Sequence, residues 1–66
     1  MQIVINGALT EVAEDLSLAD LIEHLDLGGR RLAIEVNEDL VPRSQFGQQR
    51  LARGDRVEII HAVGGG

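Results

Sequence analysis

Ser17 to Gly29 reads SLADLIEHLDLGG and predicts a helix, the element around which the rest of the fold is arranged. Ser17 is a favourable N-cap residue, and Asp20 three positions later completes a capping box. Gly28 and Gly29 are expected to end the helix, because glycine adopts the left-handed C′ conformation at little cost. Apolar side chains recur at helical spacing and form one stripe, made by Leu18, Leu21, Ile22 and Leu25.

Two strands are predicted before the helix, joined by a tight turn. The first covers residues 1–5 and places its apolar side chains on one face by simple alternation. Asn6-Gly7 follows, and this pair is the strongest short hairpin signal because both turn positions need a positive φ angle. The second strand is expected over residues 8–13.

Three further strands are predicted after the helix. Residues 32–37 alternate in character, residues 40–41 form a short edge strand that Pro42 stops, and residues 56–63 form the last strand. One helix on one face of a mixed sheet of four or five strands is an α+β layout, and we expect residues 1–66 to form a single domain. The predicted core consists of Met1, Ile3, Ile5, Leu18, Leu21, Ile22, Leu25, Ile34, Val36, Val57 and Ile59.

Composition excludes several classes of function. The chain has 66 residues, a net charge of −5, no cysteine and no lysine. An acidic surface suits nucleic acid poorly, and without cysteine there is no disulfide, thiolate metal site or cysteine nucleophile. No signal peptide is visible, and no apolar run approaches the roughly 20 residues of a membrane helix. We therefore expect a soluble cytoplasmic protein that binds neither nucleic acid nor membrane.

The chain closes on Gly64-Gly65-Gly66, directly after the last predicted strand. From the residues alone, this run fits a frayed end or a cloning remnant, or else a tail that is threaded into another protein's active site. Glycine has no side chain to obstruct a narrow channel, and three residues reach roughly 10 Å beyond the fold. On the second interpretation the tail is flexible in the free protein, and the reacting group is the carboxylate of Gly66.

Other polar groups give weaker signals. His24 and His61 are far apart in sequence and lack a matching ligand set, so no metal site is expected. Residues 53–55 read Arg-Gly-Asp and are expected to form a tight turn. No arrangement suggests a catalytic triad, so the chain is not expected to be an enzyme. Three carboxylates lack the spacing of a calcium loop and are interpreted as a solvated turn, namely Glu11, Glu14 and Asp15.

Six segments, taken in order along the chain, match one known family. They are MQI at 1–3, LADL at 18–21, AIEVN at 33–37, VPR at 41–43, GDRVE at 54–58 and GGG at 64–66. This ordered set covers the whole chain and resembles the ThiS family, the sulfur carriers of thiamine biosynthesis. The resemblance implies a ubiquitin-like β-grasp fold, with the helix packed on one face of the sheet.

The resemblance also implies a mechanism in which partner enzymes act on the tail. An E1-like adenylyltransferase would use ATP and magnesium to adenylate the Gly66 carboxylate. Sulfur from a cysteine desulfurase or a rhodanese-type protein would then produce a thiocarboxylate, and thiazole synthase would take that sulfur into the thiazole ring. Gly65 and Gly66 correspond to the family's Gly-Gly end, and Gly64 lengthens the run. The chain itself would bind no cofactor.

Three alternatives remain open at the level of sequence. The small subunit of molybdopterin synthase has the same fold and terminal chemistry, but this chain is short and lacks a proline-rich approach to the tail. A ubiquitin-like modifier would be joined to target lysines, although the missing lysines exclude polymer chains through its own side chains. A plain binding domain with a floppy end is the third.

A docking surface is predicted beside the tail. In the last strand Ile60 and Ala62 should face away from the helix, and the first and last strands of a β-grasp sheet are neighbours. An exposed apolar patch is therefore expected there, with an acidic rim that includes Glu35 and Glu58 and steers docking onto basic surfaces. The predicted docking residues are Val4, which should lie near Ile60, together with Ile60, Ala62, Gly64 and Gly65.

Overall fold

The computed structural model describes residues 1–61, and in that part of the chain one α-helix packs on a five-stranded sheet. The elements in chain order are β1 (Gln2–Ile5), β2 (Ala8–Glu11), α1 (Leu18–His24), β3 (Leu32–Val36), β4 (Asp39–Val41), a 3-10 helix (Arg43–Gln45) and β5 (Arg56–His61). The strand order across the sheet is β2-β1-β5-β3-β4. β1 and β5 run parallel, and the other neighbours run antiparallel. The predicted α+β layout is confirmed.

The start of α1 is confirmed as predicted. The Ser17 Oγ accepts the Asp20 backbone N–H at 3.1 Å, and the Asp20 carboxylate accepts the Ser17 backbone N–H at 3.4 Å. This pair of bonds is a capping box. The hydrogen bonds from Ser17 hold the pKa of the Asp20 carboxyl below its usual value. The ionised form of Asp20 therefore stabilises the folded state.

The end of α1 lies a turn earlier than predicted. Asp26 adopts a φ angle of 59° immediately after the C-cap. Its N–H donates to the Glu23 carbonyl at 3.0 Å, and the Leu27 N–H donates to the Ile22 carbonyl at 2.9 Å, which is the Schellman pattern. Aspartate tolerates the left-handed region better than most residues, so it closes the helix before the glycines at 28 and 29 are reached.

The core fills the space between α1 and one face of the sheet. Most of the predicted core is confirmed, but Met1 and Ile5 are only partly buried, and Leu25 is wrong because it is 38% exposed at the helix end. β2 also stops at Glu11 instead of residue 13. The buried apolar residues are Ile3, Leu16, Leu18, Leu21, Ile22, Ile34, Val36, Val41, Phe46, Leu51, Val57 and Ile59.

The predicted turns are present. Asn6 and Gly7 join β1 to β2 with φ angles of 47° and 83°, and Asn37 and Glu38 join β3 to β4 with φ angles of 53° and 73°. A two-residue turn with positive φ at both central positions matches the twist of the two strands that it joins. Residues 53–55 also turn, and the Asp55 carboxylate accepts the Ala52 backbone N–H at 2.8 Å. No helix in residues 1–61 has the length and apolar character of a membrane span.

Candidate functional site

The last strand lies in the middle of the sheet and leads directly to residues 62–66. β5 is flanked by β1 on one side and β3 on the other. Val57 and Ile59 are buried beneath α1, which anchors the strand to the core. On the β3 side the ladder continues to the end of the strand, where His61 lies opposite Leu32. β5 is therefore held by core packing and by the β3 ladder up to His61.

Asn6 extends the other side of this ladder with its side chain. Its backbone N–H donates to the Val57 carbonyl at 2.9 Å, and its Oδ1 accepts the Ile59 N–H at 2.7 Å. The left-handed conformation of Asn6 turns the chain away toward β2, so a side-chain oxygen takes the place that a continuing β1 carbonyl would have held. The sequence interpretation of Asn6 as a turn residue alone missed this second role.

The face of the sheet opposite α1 carries exposed apolar side chains. Ile60 is 51% exposed and lies across from Ala33, which is also exposed. Leu40 on the neighbouring edge strand is 66% exposed and lies across from Glu35. The predicted outward orientation of Ile60 is confirmed. Alternation in β3 and β4 could have added Ala33 and Leu40 to the predicted patch.

Two carboxylates lie opposite one another in the middle of this outer face. Glu35 on β3 is the cross-strand partner of Glu58 on β5. Like charges in directly opposed positions destabilise a sheet. Within residues 1–61 the structure has one ion pair, between the Met1 ammonium and Glu11, so neither glutamate is neutralised by a basic side chain of the described fold. The pair is available to a cationic group of a partner.

The predicted proximity of Val4 and Ile60 is wrong. The parallel register places Val4 opposite Arg56, four residues before Ile60, which corresponds to about 13 Å along the strand. The cross-strand neighbour of Val4 on the other side is Leu9, so Val4 belongs to a different part of the outer face. The remaining predicted site residues, Ala62, Gly64, Gly65 and Gly66, lie outside the described residues.

Other groups in the described chain form no recognisable catalytic or metal site. Residues 1–61 contain no cluster of three or more histidines and carboxylates that could hold a metal ion. Glu11 pairs with the Met1 ammonium at 2.9 Å and is a structural residue. An apolar groove lies between β2 and α1, by the edge strand farthest from β4. Glu11 and His24 are among its lining residues, but Glu11 pairs with the Met1 ammonium and not with His24.

Comparison with known proteins connects this chain to one family. The model of the ThiS family matches residues 3–66. The sulfur carrier protein ThiS of Escherichia coli is 30% identical over 66 residues, which is 100% of both chains. An uncharacterised protein, ycf40, of Porphyra purpurea is 42% identical over 100% of this chain and 93% of its own length.

Two further matches bear on the fold and on partners. A thiazole synthase of Paramagnetospirillum magneticum is 33% identical over the whole of this chain, which corresponds to 20% of that enzyme. The crystal structure of the thiamine biosynthesis protein ThiS from Geobacter metallireducens is 29% identical, covers 100% of both chains and superposes with a TM-score of 0.87. The five-stranded sheet with one helix is therefore the β-grasp fold of that protein.

Proposed function

The chain belongs to the ThiS family, and from that premise we propose that it is a sulfur carrier of thiamine biosynthesis in which the carboxylate of Gly66 holds the sulfur. The observation that supports this most directly is the family match, which extends from residue 3 through all three glycines to residue 66. In this proposal residues 1–66 form one carrier domain with residues 64–66 as its tail. The chain is a co-substrate and not an enzyme.

The proposed chemistry needs a leaving group on the carboxylate. A carboxylate oxygen of Gly66 attacks the α-phosphorus of ATP, the bond to the β-phosphate breaks, and magnesium pyrophosphate leaves. A persulfide sulfur then attacks the acyl carbon of the adenylate, and AMP leaves. A second thiol cleaves the remaining S–S bond, forms a disulfide with the donor and releases the thiocarboxylate. This sequence uses groups of the partner enzymes and the tail, and it needs no metal-binding cluster on residues 1–61, where none is found.

The described fold supports this proposal through the placement of β5. A tail that enters another protein's active site needs a fixed point of departure, because disorder at its base would add to the entropic cost of binding. β5 is bonded on both sides as far as Ile59 and on the β3 side as far as His61. From His61 the five remaining residues reach at most about 18 Å when fully extended.

The proposed partners follow from the reaction. An E1-like adenylyltransferase supplies ATP and magnesium, and a cysteine desulfurase or a rhodanese-type protein supplies sulfur. Thiazole synthase accepts the sulfur, and the thiazole synthases that contain a region similar to this chain support that choice. We also propose a cytoplasmic location, where ATP is available to the adenylating enzyme.

The proposed docking surface is the outer face next to the tail. It comprises Ile60 and Ala33, which lie opposite one another on β5 and β3. Ala62, predicted from the sequence to belong to this surface, lies outside the described residues. Exposed apolar groups beside a reactive terminus suit a partner that must hold the carrier while the tail reacts. Glu35 and Glu58 form the acidic rim of this surface. Val4 on β1 lies opposite Arg56, too far from Ile60 to contribute to it.

Exchange of radiolabelled pyrophosphate into ATP by the adenylating enzyme tests the first step. We expect exchange with the intact chain and none after deletion of Gly66 or after addition of residues beyond it. Thiazole formation by thiazole synthase, with the loaded chain as the limiting reagent, tests the pathway. Molybdopterin formation by the corresponding large subunit instead would assign the chain to that branch.

A further inference from the structure

Three of the six arginines lie at the end of the sheet where the chain runs into its tail. Arg30 and Arg31 immediately precede Leu32, and Leu32 is the cross-strand partner of His61. β4 runs antiparallel to β3 and therefore ends on the same side, so Arg43, two residues past β4, also arrives there. The contact is direct, because the Arg43 Nη2 donates to the Arg30 carbonyl at 2.8 Å.

The charges of this group, which we call the arginine collar (Arg30, Arg31 and Arg43), face solvent. All three residues are exposed, and the Arg43 guanidinium also lies 5.9 Å from the centroid of the Phe46 ring. The ion pair found within residues 1–61 involves none of them. The chain as a whole has a net charge of −5, so a cluster of basic side chains at one end runs against the average of the surface.

The surface beside the tail thus changes sign along the strands. The collar lies level with His61, whereas the Glu35–Glu58 pair lies three residues earlier, about 10 Å back along β5. A partner that matched both regions would place acidic groups close to the point where the tail enters and basic groups farther out. Such an arrangement fixes the orientation of the carrier about the axis of its tail, because complementary charges set the register of an interface.

We propose that the arginine collar docks on carboxylates at the mouth of the channel through which the adenylating enzyme takes the tail. This inference rests on the proposed function. A protein surface is favoured over the nucleotide itself, because a tail extended far enough to bring Gly66 to the α-phosphate places the collar up to about 18 Å away. At that distance an arginine side chain cannot reach the phosphates, whereas it lies against the rim of the channel. The collar therefore recognises acidic side chains of the enzyme.

Charge reversal at the collar, compared with the same reversal elsewhere, tests this assignment. The test variant carries R30E and R31E, and the matched control carries R53E and R56E at the opposite end of β5, roughly 16 Å away. Both variants change the net charge equally. Arg43 is left in place because its hydrogen bond to Arg30 and its contact with Phe46 support the fold. Thermal unfolding of both variants establishes that they fold.

The readout is the steady-state rate of adenylation at varied carrier and NaCl concentrations. We expect R30E/R31E to raise KM by about tenfold or more, to leave kcat within about twofold, and to weaken the dependence of kcat/KM on salt. The control should stay within about threefold of the natural chain. R30K/R31K should restore most of the loss, since it restores the charges.

Equal increases in KM for the test variant and the control would overturn the proposed role of the arginine collar, because the change in net charge alone would then explain them. Normal kinetics of R30E/R31E would overturn it too. In both cases a natural chain that is still adenylated shows that the proposed function stands. If the natural chain is not adenylated at all, that result refutes the proposed function, and the proposed role of the arginine collar is refuted with it.

Discussion

Replacement of Asn6 tests whether its side chain holds the last strand in place. Asn6→Gly removes the Oδ1 acceptor but keeps the left-handed backbone free of strain, since glycine adopts a φ angle of 47° readily. The bond lost is a 2.7 Å contact to the Ile59 N–H in a partly buried position. Such a bond contributes about 0.5–1.5 kcal/mol, and the stranded N–H adds to the loss, so we expect about 1–2 kcal/mol.

Two further variants at the same position separate the hydrogen bond from the backbone conformation. Asn6→Ala loses the bond and also lacks the short polar side chain through which asparagine tolerates the left-handed region, so it should cost about 1–2 kcal/mol more than Asn6→Gly. Asn6→Asp keeps both an acceptor and tolerance of that region, so its stability should stay close to that of the natural chain. The total stability of a domain of this size is only about 3–10 kcal/mol, so these differences are large.

Urea unfolding and amide hydrogen exchange measure the two consequences. The midpoints should rank Asn6→Asp above Asn6→Gly and Asn6→Gly above Asn6→Ala, and the Ile59 amide should exchange faster in the last two. The adenylation rate of Asn6→Gly should also fall at temperatures where it is folded, because the base of the tail is less fixed. Asn6→Gly with unchanged stability and unchanged protection of the Ile59 amide would refute the reasoning.

Three other predictions concern the core, the helix start and the docking face. Ile34→Ala should lower the free energy of unfolding by about 2–5 kcal/mol, because Ile34 is 0% exposed. Leu40→Ala, at a position that is 66% exposed, should change it by less than about 0.5 kcal/mol. Similar urea midpoints for the two variants would show that the strand orientation is wrong. The pKa of Asp20 is lowered in the folded state, so its ionised form stabilises the fold above pH 4, and this contribution is lost as the pH falls through the folded pKa. Asp20→Asn should therefore lower the urea midpoint at pH 7 more than at pH 3. An equal loss at both pH values would contradict the capping role. Ile60→Asp should weaken binding to the adenylating enzyme and to thiazole synthase, as measured by titration calorimetry. Leu9→Asp, an equally polar change on the outer side of the edge strand, should leave binding unchanged. Normal binding of Ile60→Asp would exclude the proposed face.

The features of the fold that depend on local chemistry are predictable from the sequence. The capping box at Ser17, the Asn6-Gly7 turn and the alternation in β3 and β5 each follow from neighbouring residues, and all are present. The helix end was predicted too late because the glycines at 28 and 29 give the stronger signal, although Asp26, two residues before Gly28, also adopts a positive φ angle. For the same reason, the prediction that Leu25 belongs to the buried apolar stripe of the helix is wrong.

Features that depend on contacts far apart in sequence were not predictable. Residues 44–51 show no clear periodicity, so nothing local indicated that Phe46 and Leu51 are buried. The register of β1 against β5 is set by packing between the two ends of the chain, and for this reason Val4 was placed near Ile60 in error. The role of Asn6 was hidden for a similar reason, because its hydrogen-bond partner lies 53 positions later.

The candidate site also has one part that the sequence predicts and another part that it does not. The glycine run at residues 64–66 predicts a reactive end from the residue type alone, and this prediction lies outside the described residues. The arginine collar could not be predicted, because its members come from two loops that meet only when β3 and β4 pair. The opposed glutamates likewise became visible as a pair only through the β3–β5 register.

The intact mass of the chain after incubation with the adenylating enzyme, magnesium ATP and a sulfur source tests the central claim most directly. The proposal predicts a gain equal to the difference between one sulfur and one oxygen atom, located on residue 66 by fragmentation, and no gain in a chain extended beyond Gly66. An unchanged mass with an enzyme that is active on another carrier would contradict it. Sulfur on the extended chain, or an isopeptide adduct to a lysine of another protein, would contradict it as well.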